Sequence, residues 1–158
     1  MQIAVTDTSP AMCAINLDDK RVSKLLLEAG QLLCVWAEDQ GIAVPYRRTK
    51  QGKVFVKWMQ ADVRNYAWTR HYFECLCGEF VHRFGKKHKT HVDVLHLLPR
   101  LPTMFYPPSS FVNAARHQGR GLDFTHLPVP LSYRAYLDAR WDTDKRPPMW
   151  TRRHRPGW

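Results

Sequence analysis

The stretch from Asp18 to Gly41, DDKRVSKLLLEAGQLLCVWAEDQG, decides the fold because its apolar residues recur with the period of an α-helix. Asn16 or Asp18 can cap this helix at its start, and Gly41 ends the pattern. The apolar positions at i, i+3 and i+4 spacing are Val22, Leu25, Leu26, Ala29, Leu32, Leu33 and Trp36. One face of the helix is therefore expected to lie in a hydrophobic core.

A second long helix is predicted between Asp62, a candidate N-cap, and Gly85, a candidate C-terminal stop. Shorter helical segments are predicted over 54–60, over 90–98 and from Pro130 onward, whereas residues 99–130 lack helical periodicity. The predicted fold class is all-α, or mostly α. We expect one compact helical domain over 1–142 with a long Pro/Gly-rich loop, followed by a basic C-terminal tail over 143–158.

The chain carries a strong excess of positive charge, with a formal net charge of +10 at pH 7 and a sequence pI near 9.8. Such a surface attracts polyanions through phosphate contacts and counterion release. No run of residues approaches the roughly 18 apolar residues that a membrane span needs. We therefore expect a nucleic acid partner, no membrane partner and a cytoplasmic protein.

Glu28 is the first candidate for catalysis. It lies roughly 90° from the centre of the apolar stripe, where a carboxylate is partly desolvated. The alternative is an ordinary surface ion pair with Lys24. On the second helix, Asn65 and His71 are further catalytic candidates because an amide suits base edges and an imidazole can transfer protons near neutral pH.

Clusters of basic and aromatic residues are candidates for nucleic acid binding, because cations contact phosphates and aromatic rings stack on bases. The alternatives are a solvated connector over 41–53 and a tail whose two tryptophans fold back onto the body. The candidate residues are Arg47, Arg48, Lys50, Arg64, Trp68, Lys86, Lys87, His88, Lys89, Arg152 and Arg153.

The chain lacks the motifs of several enzyme classes. It has no Gly-rich phosphate loop, no G-x-S-x-G, no H-E-x-x-H and no Rossmann fingerprint. His88 and His91 could in principle share a metal ion, but the flanking lysines repel a cation. Nucleotide kinases and metalloproteases are disfavoured, and we expect neither a metal site nor a cofactor.

Three motifs resemble the pattern of a group of small phage-encoded proteins. They are D-K-x-V-x-K-x-x-L-E-x-x-Q-x-L-C at 19–34, N-Y-x-W at 65–68 and F-G-K-x-H-K at 84–89. More distantly, the layout is similar to the phage pyrimidine-dimer DNA glycosylase family, a small helical fold whose first helix carries a catalytic Glu spaced from an Asp as Glu28 is from Asp19. The resemblance implies a phage protein in the host cytoplasm, DNA rather than RNA as partner, and a catalytic role for Glu28.

The leading hypothesis is a DNA-processing protein of phage type, a base glycosylase or base-modifying enzyme acting on DNA through a basic groove. Glu28 would act as acid or base, or stabilise an oxocarbenium ion, while a flipped base stacks on Trp68 or Tyr66. The alternative is a non-catalytic nucleic-acid-binding or host-interaction protein. A third hypothesis is small-molecule or nucleotide chemistry in a pocket between the helices.

Overall fold

The computed structural model describes residues 2–48, 52–100, 107–108 and 110–158. These residues form mostly helices, which confirms the predicted fold class. The helices are α1 (Pro10–Ile15), α2 (Asp19–Asp39), α3 (Lys53–Ala61), α4 (Val63–Phe84), α5 (Lys89–Val94) and α6 (Val129–Thr143). A 3₁₀ segment, Leu95–Arg100, follows α5, and an antiparallel hairpin of β1 (Arg116–His117) and β2 (Leu122–Asp123) precedes α6.

The two long helices, α2 and α4, run antiparallel and share the core. At one end of this α2–α4 pair, the rings of Trp36 and Tyr66 stack with their centroids 4.3 Å apart. At the other end, the guanidinium of Arg83 lies 3.0 Å from the carboxylate of Asp19. We call these the Tyr66 end and the Asp19 end. The helical apolar stripes predicted from the sequence face each other between them.

The ends of α4 follow the predicted signals. The Asp62 carboxylate accepts a hydrogen bond of 2.8 Å from the backbone N–H of Arg64, and Gly85 ends the helix with φ 66°. Asp18 precedes α2 as expected, but its side chain makes no capping bond. Its carboxylate is used in tertiary contacts instead, accepting bonds from Arg21 at 2.7 Å and from the Trp141 indole at 2.9 Å.

Two segments precede the long helices. The composition of residues 6–10 predicts a turn, and residues 6–9 do bend, with the Asp7 carboxylate accepting a bond of 2.8 Å from the Ser9 N–H. Pro10 then begins α1, which this composition does not predict, and the Ser9 hydroxyl accepts a hydrogen bond from the Met12 N–H. The apolar run Ile3–Val5 is buried as a strand would be, but it pairs with no other strand among the described residues. Burial of its apolar side chains therefore packs this segment against the body.

Helix α5 packs unusually closely on α2 at Gly30. A Cβ atom built on Gly30 would lie 2.4 Å from Cγ2 of Thr90 and 3.3 Å from the ring of Phe73. Thr90 is itself buried, so it has little room to move. Gly30 is therefore the residue that allows the two helices to approach each other.

We expect Gly30→Ala to lower the free energy of unfolding by about 2 kcal/mol, because the new methyl group overpacks the contact with Thr90. Urea denaturation followed by circular dichroism measures this change. Gly78→Ala in α4 is the matched control, because a Cβ atom added there meets open space among the described residues. That control should gain up to about 1 kcal/mol from helix propensity. Equal effects in the two variants would contradict the close packing.

The C-terminal segment folds back onto the body as a clasp. The Trp141 ring of α6 contacts Trp150 edge-on at 4.9 Å and stacks on Trp158 at 5.9 Å. The guanidinium of Arg155 lies 5.2 Å from the Trp141 ring centroid, and the Trp158 indole donates to Asp138. These contacts agree with the alternative in which the two tryptophans fold back onto the body. They do not agree with a tail whose tryptophans are free to stack on bases.

The same segment binds the Asp19 end of the α2–α4 pair. The Thr151 hydroxyl and N–H donate to the Asp19 carboxylate, the hydroxyl at 2.7 Å. Arg153 forms a bidentate pair with Glu79 at 2.9 and 2.8 Å. Glu79 also accepts a bond of 2.6 Å from Arg83, whose side chain is 0% exposed. A buried ion network therefore joins α2, α4 and the clasp.

The Glu79 carboxyl makes the stability of this network depend on pH. Burial alone would raise the pKa of the Glu79 carboxyl, but hydrogen bonds from Arg153 and Arg83 outweigh burial and hold that pKa below its ordinary value. The pKa in the folded chain is thus lower than in the unfolded chain. The resulting stabilisation is complete above the unfolded value of about 4.3 and is lost as the pH falls through the folded value.

We therefore expect the free energy of unfolding, measured by urea denaturation, to fall as the pH drops below about 5. Glu79→Gln should cost about 3 kcal/mol at pH 7, because Arg83 loses a buried partner, and should flatten part of this pH dependence. Glu38→Gln, which removes an exposed partner of Arg48, should cost less than about 1 kcal/mol. An unchanged pH profile in Glu79→Gln would show that another carboxylate is responsible.

Candidate nucleic-acid interface

Glu28 lies on α2 with its side chain only 16% exposed. Its Oε1 atom is 3.8 Å from the Nζ atom of Lys24, one helical turn earlier. Its Oε2 atom is buried and has no hydrogen-bond partner among the described residues. An unpaired buried carboxylate oxygen is costly to maintain in a folded protein. Glu28 thus forms the ion pair with Lys24 that the sequence offered as an alternative. That pair leaves the second carboxylate oxygen, Oε2, without a hydrogen-bond partner in the described part of the chain.

The other two catalytic candidates do not join Glu28. Asn65 is 2% exposed, and its amide donates to the backbone oxygen of Trp58 at 2.8 Å, an arrangement that links α3 to α4. His71 is half exposed beside Glu74, and it lines a separate cavity with Pro10 and Phe111. Glu28 is not among the described residues that line that cavity. The structure therefore gives no support to a site that combines these three residues.

The base-stacking roles of Trp68 and Tyr66 are corrected by the structure. Both side chains are 0% exposed. The Trp68 ring stacks on Tyr72 with centroids 5.1 Å apart, and its indole N–H donates to the backbone oxygen of Thr8 at 3.0 Å. Tyr66 stacks on Trp36 in the core. These aromatic rings stabilise the packing of α4, and no base can reach them in this arrangement.

The predicted basic residues divide between the two ends of the α2–α4 pair. At the Tyr66 end, Arg48 is paired with Glu38 and Asp39, and Arg64 forms a bidentate pair with Asp62. Arg47 is exposed beside them. Lys50 lies outside the described residues. The positive charges of Arg48 and Arg64 are thus matched by carboxylates, whereas Lys53 and Lys57 of α3 are exposed near this end without an ion pair among the described residues.

At the Asp19 end, Lys86 and Lys87 follow directly after α4. Both are exposed, and neither forms an ion pair within the described part of the chain. Lys89 extends into solvent but pairs with Asp93 at 2.6 Å. The unmatched charge of this cluster therefore comes from Lys86 and Lys87.

His88 has a structural role between these lysines. Its Nδ1 atom accepts a hydrogen bond of 3.2 Å from the N–H of Thr90, which caps α5, and its Nε2 atom lies 3.2 Å from the Ser23 hydroxyl. Burial lowers the pKa of His88 below its ordinary value, which favours the neutral ring that this cap requires. His88 therefore has a structural role, and its predicted contact with nucleic acid stays a prediction.

The two arginines of the clasp are also engaged by the protein. Arg153 forms its bidentate pair with Glu79 and is not available as a free cation. Arg152 is exposed, but its guanidinium donates to the backbone oxygen of His82 at 2.8 Å. The nucleic-acid-binding role of Arg153 stays a prediction, since its side chain is 32% exposed despite this pair. Arg152 stays a prediction, because part of its guanidinium faces solvent.

A small hollow between α2 and α6 contains residues that the sequence analysis missed. It holds about 60 Å³, far less than the roughly 300–1,000 Å³ of drug-sized ligand sites. It suits a small anionic group rather than a nucleobase. Its lining residues are Gln2, Ala4, Lys20, Arg21, Lys24, Leu25, Tyr136, Leu137 and Arg140.

The cations around this hollow come from two helices. Lys20 and Lys24 of α2 have side chains 65% and 57% exposed, and Lys24 is the partner of Glu28. Arg140 of α6 lies against Tyr136, with its guanidinium 5.9 Å from the ring centroid. The i, i+4 spacing of Lys20 and Lys24 is a sequence signal that could have identified the α2 half of this site. Arg140 requires the tertiary structure.

No metal centre accompanies these features in the residues that the structure describes. No group of three or more His, Cys, Asp or Glu side chains there is arranged to hold a metal ion. Cys75 and Cys77 are free thiols, as are Cys13 and Cys34. None of the described helices has the length and apolar character required to cross a membrane.

Comparison of this chain with protein-family models, with curated proteins and with solved structures finds no match.

Proposed function

We propose that this chain is a DNA-binding protein whose positive surface lies at the Asp19 end of the α2–α4 pair. The observation that carries the proposal is the placement there of exposed lysines with little matching negative charge. Lys86 and Lys87 have no ion pair among the described residues, and Lys20 and Lys24 hold only long contacts of 3.8 Å with carboxylates. Ion pairs that are this long and exposed to solvent are weak, so Lys20 and Lys24 remain available to bind phosphate.

The contrast between the two ends supports this choice of surface. Arg48 and Arg64 are held by close carboxylates at the Tyr66 end, roughly 30 Å along α2 from Lys20. A polyanion approaching that end meets negative as well as positive groups. A polyanion approaching the Asp19 end meets mostly cations, and the formal net charge of +10 adds a long-range attraction.

We expect the variant Lys86→Gln/Lys87→Gln to bind duplex DNA more weakly than the wild type. Fluorescence anisotropy with a labelled duplex, repeated at several salt concentrations, measures both affinity and its salt dependence. The slope of log K against log[salt] should become less steep by about one unit for each phosphate that the variant no longer neutralises.

The matched control is Lys53→Gln/Lys57→Gln, which removes the same charge from exposed positions on α3. Helix α3 packs near the Tyr66 end, where Gln60 contacts Asp39. The control should change the slope much less. If both double variants weaken binding equally, the attraction depends on net charge alone and the assignment to the Asp19 end is wrong.

A second candidate function adds chemistry to this binding, namely a base glycosylase or base-modifying activity carried by Glu28. The buried, unpartnered Oε2 atom of Glu28 favours it, because such an oxygen lacks the interaction that a cationic transition state supplies. Lys24 links Glu28 to the rim of the hollow at a distance of 3.8 Å. A phosphate held at the rim would bring the adjoining sugar towards this carboxylate.

The chemistry that fits this arrangement takes place at the sugar. The hollow is too small for a base, so base stacking has no part in this mechanism. As the bond between C1′ and the base breaks, its electron pair leaves with the base, which takes a proton from a water molecule, and the remaining hydroxide adds to C1′. The Glu28 carboxylate would stabilise the positive charge that develops at C1′ between these two events. In this mechanism Lys24 positions the phosphate, and the Glu28 side chain rotates outward to contact the reacting sugar, because its Oε2 atom is buried before binding.

We expect Glu28→Gln to bind DNA with unchanged affinity and to release or modify bases at least about 100-fold more slowly than the wild type, since the amide lacks the negative charge. Mass spectrometry of free bases and of nucleosides from incubated DNA measures the product. Glu38→Gln on the same helix is the control and should retain the activity. If the wild type produces no altered or released base, the protein is a binder and Glu28 is not catalytic.

A further inference from the structure

We propose that the phosphate-binding surface continues from α2 across the C-terminal end of α6 to the β1–β2 hairpin, as a strip that follows the backbone of duplex DNA. The cationic strip consists of Lys20, Lys24, Arg140, Arg120, Lys145 and Arg146. The inference rests on the proposed DNA-binding function and specifies its surface. It is carried by contacts that place cations of four separate segments side by side.

Asp144 organises the first part of the strip. This carboxylate lies 3.8 Å from Lys20, 2.9 Å from Arg21 and 3.5 Å from Arg140. The Asp144 side chain is 3% exposed, whereas that of Lys20 is 65% exposed. The negative group thus lies beneath the cations that it gathers. Arg21 also pairs with Asp18 at 2.7 Å, so two buried carboxylates face three cations and a net positive charge remains.

Arg140 has donor capacity that the protein does not use. Its Nη1 atom donates to the Tyr136 hydroxyl at 3.2 Å, but its Nε atom is buried and has no hydrogen-bond partner among the described residues. Burial of an unsatisfied guanidinium donor is unfavourable. Arg140 lines the hollow and its side chain is 17% exposed, so a phosphate bound there would contact the exposed part of the guanidinium.

Arg120 extends the strip to the hairpin. Its guanidinium donates to the backbone oxygen of Thr143 at 3.0 Å and to the Thr143 hydroxyl at 3.2 Å. Thr143 is the last residue of α6 and directly precedes Asp144. The turn that carries Arg120 is fixed by Gly121, whose φ of 66° favours glycine. The hairpin therefore holds a cation next to the Asp144 group.

Lys145 and Arg146 complete the strip. They follow Asp144 in the chain, both are exposed, and neither has an ion pair among the described residues. Two carboxylates lie close to this part of the chain. Asp123 accepts bonds from the N–H and hydroxyl of Thr125 at 2.9 and 2.6 Å, and Asp142, 69% exposed, lies 3.7 Å from Arg155. The six cations of the strip outnumber Asp123, Asp142 and Asp144, so its surface carries a net positive charge.

The chemistry of the strip fits a phosphodiester backbone. It offers separate guanidinium and ammonium groups along a surface, which suits successive phosphates rather than one compact anion. Its one aromatic neighbour within the hollow, Tyr136, is only 7% exposed and offers no face for base stacking. Binding along the strip is therefore expected to be independent of base sequence and to favour a duplex over an unstacked single strand.

The test is the double variant Lys145→Gln/Arg146→Gln, chosen because both side chains are exposed and unpaired in the described structure, so that folding is retained. Binding of a labelled duplex DNA is measured by anisotropy over a range of salt concentrations, and folding is checked by thermal denaturation. We expect the affinity to fall roughly tenfold and the salt slope to become less steep by about two units, because two phosphates are no longer neutralised.

Three experimental results would contradict the proposal of a cationic strip. If this variant behaves like Lys53→Gln/Lys57→Gln while Lys86→Gln/Lys87→Gln binds weakly, the DNA-binding function stands and its surface does not extend to α6. If single-stranded RNA of the same length binds more tightly than duplex DNA and its affinity falls further in the variant, the partner is RNA. If the wild type does not bind duplex DNA, the proposed function and the strip are both wrong.

Discussion

The buried guanidinium of Arg83 is the group on which the arrangement of the positive surface depends. It is fully buried, lies 2.6 Å from Glu79 and 3.0 Å from Asp19, and donates to the backbone oxygen of Ile15 at 3.0 Å. A buried charge of this kind requires all its partners in place. Because these partners lie on different helices, the network fixes the start of α2 against the end of α4. Lysines on either side of it are thereby held in one surface.

The sequence predicts well those features of the fold that local chemistry determines. The apolar period locates α2 and α4, and Asp62 and Gly85 mark the ends of α4 because each acts on residues next to it. Ser9 and Pro10 carry the usual signal for a helix start, but the same residues also favour a turn, and α1 is too short to show a period. Asp18 is predicted as a cap but binds Arg21 and Trp141, since tertiary ion pairing outweighs a local hydrogen bond.

The candidate site is less predictable because it depends on what covers each helix. The spacing of Lys24 and Glu28 places them together, and the structure retains that pair. The pattern of α4 alone leaves Trp68 and Asn65 at the edge of an apolar stripe, but α1 and α3 cover that side of the helix. The contact between Arg21 and Asp144 joins residues 123 positions apart, and no periodicity within one helix predicts it.

The clasp has a consequence for the order in which the chain is assembled during translation. The bond between Thr151 and Asp19 joins residues 132 positions apart, and closing so long a loop is slow compared with forming local helices. The ribosome releases residues in order from the N-terminus, so α2 and α4 emerge well before the residues that brace them. An incomplete nascent chain therefore carries its lysines on a helix pair that lacks its final support. Synthesis through the clasp completes the surface that we assign to DNA.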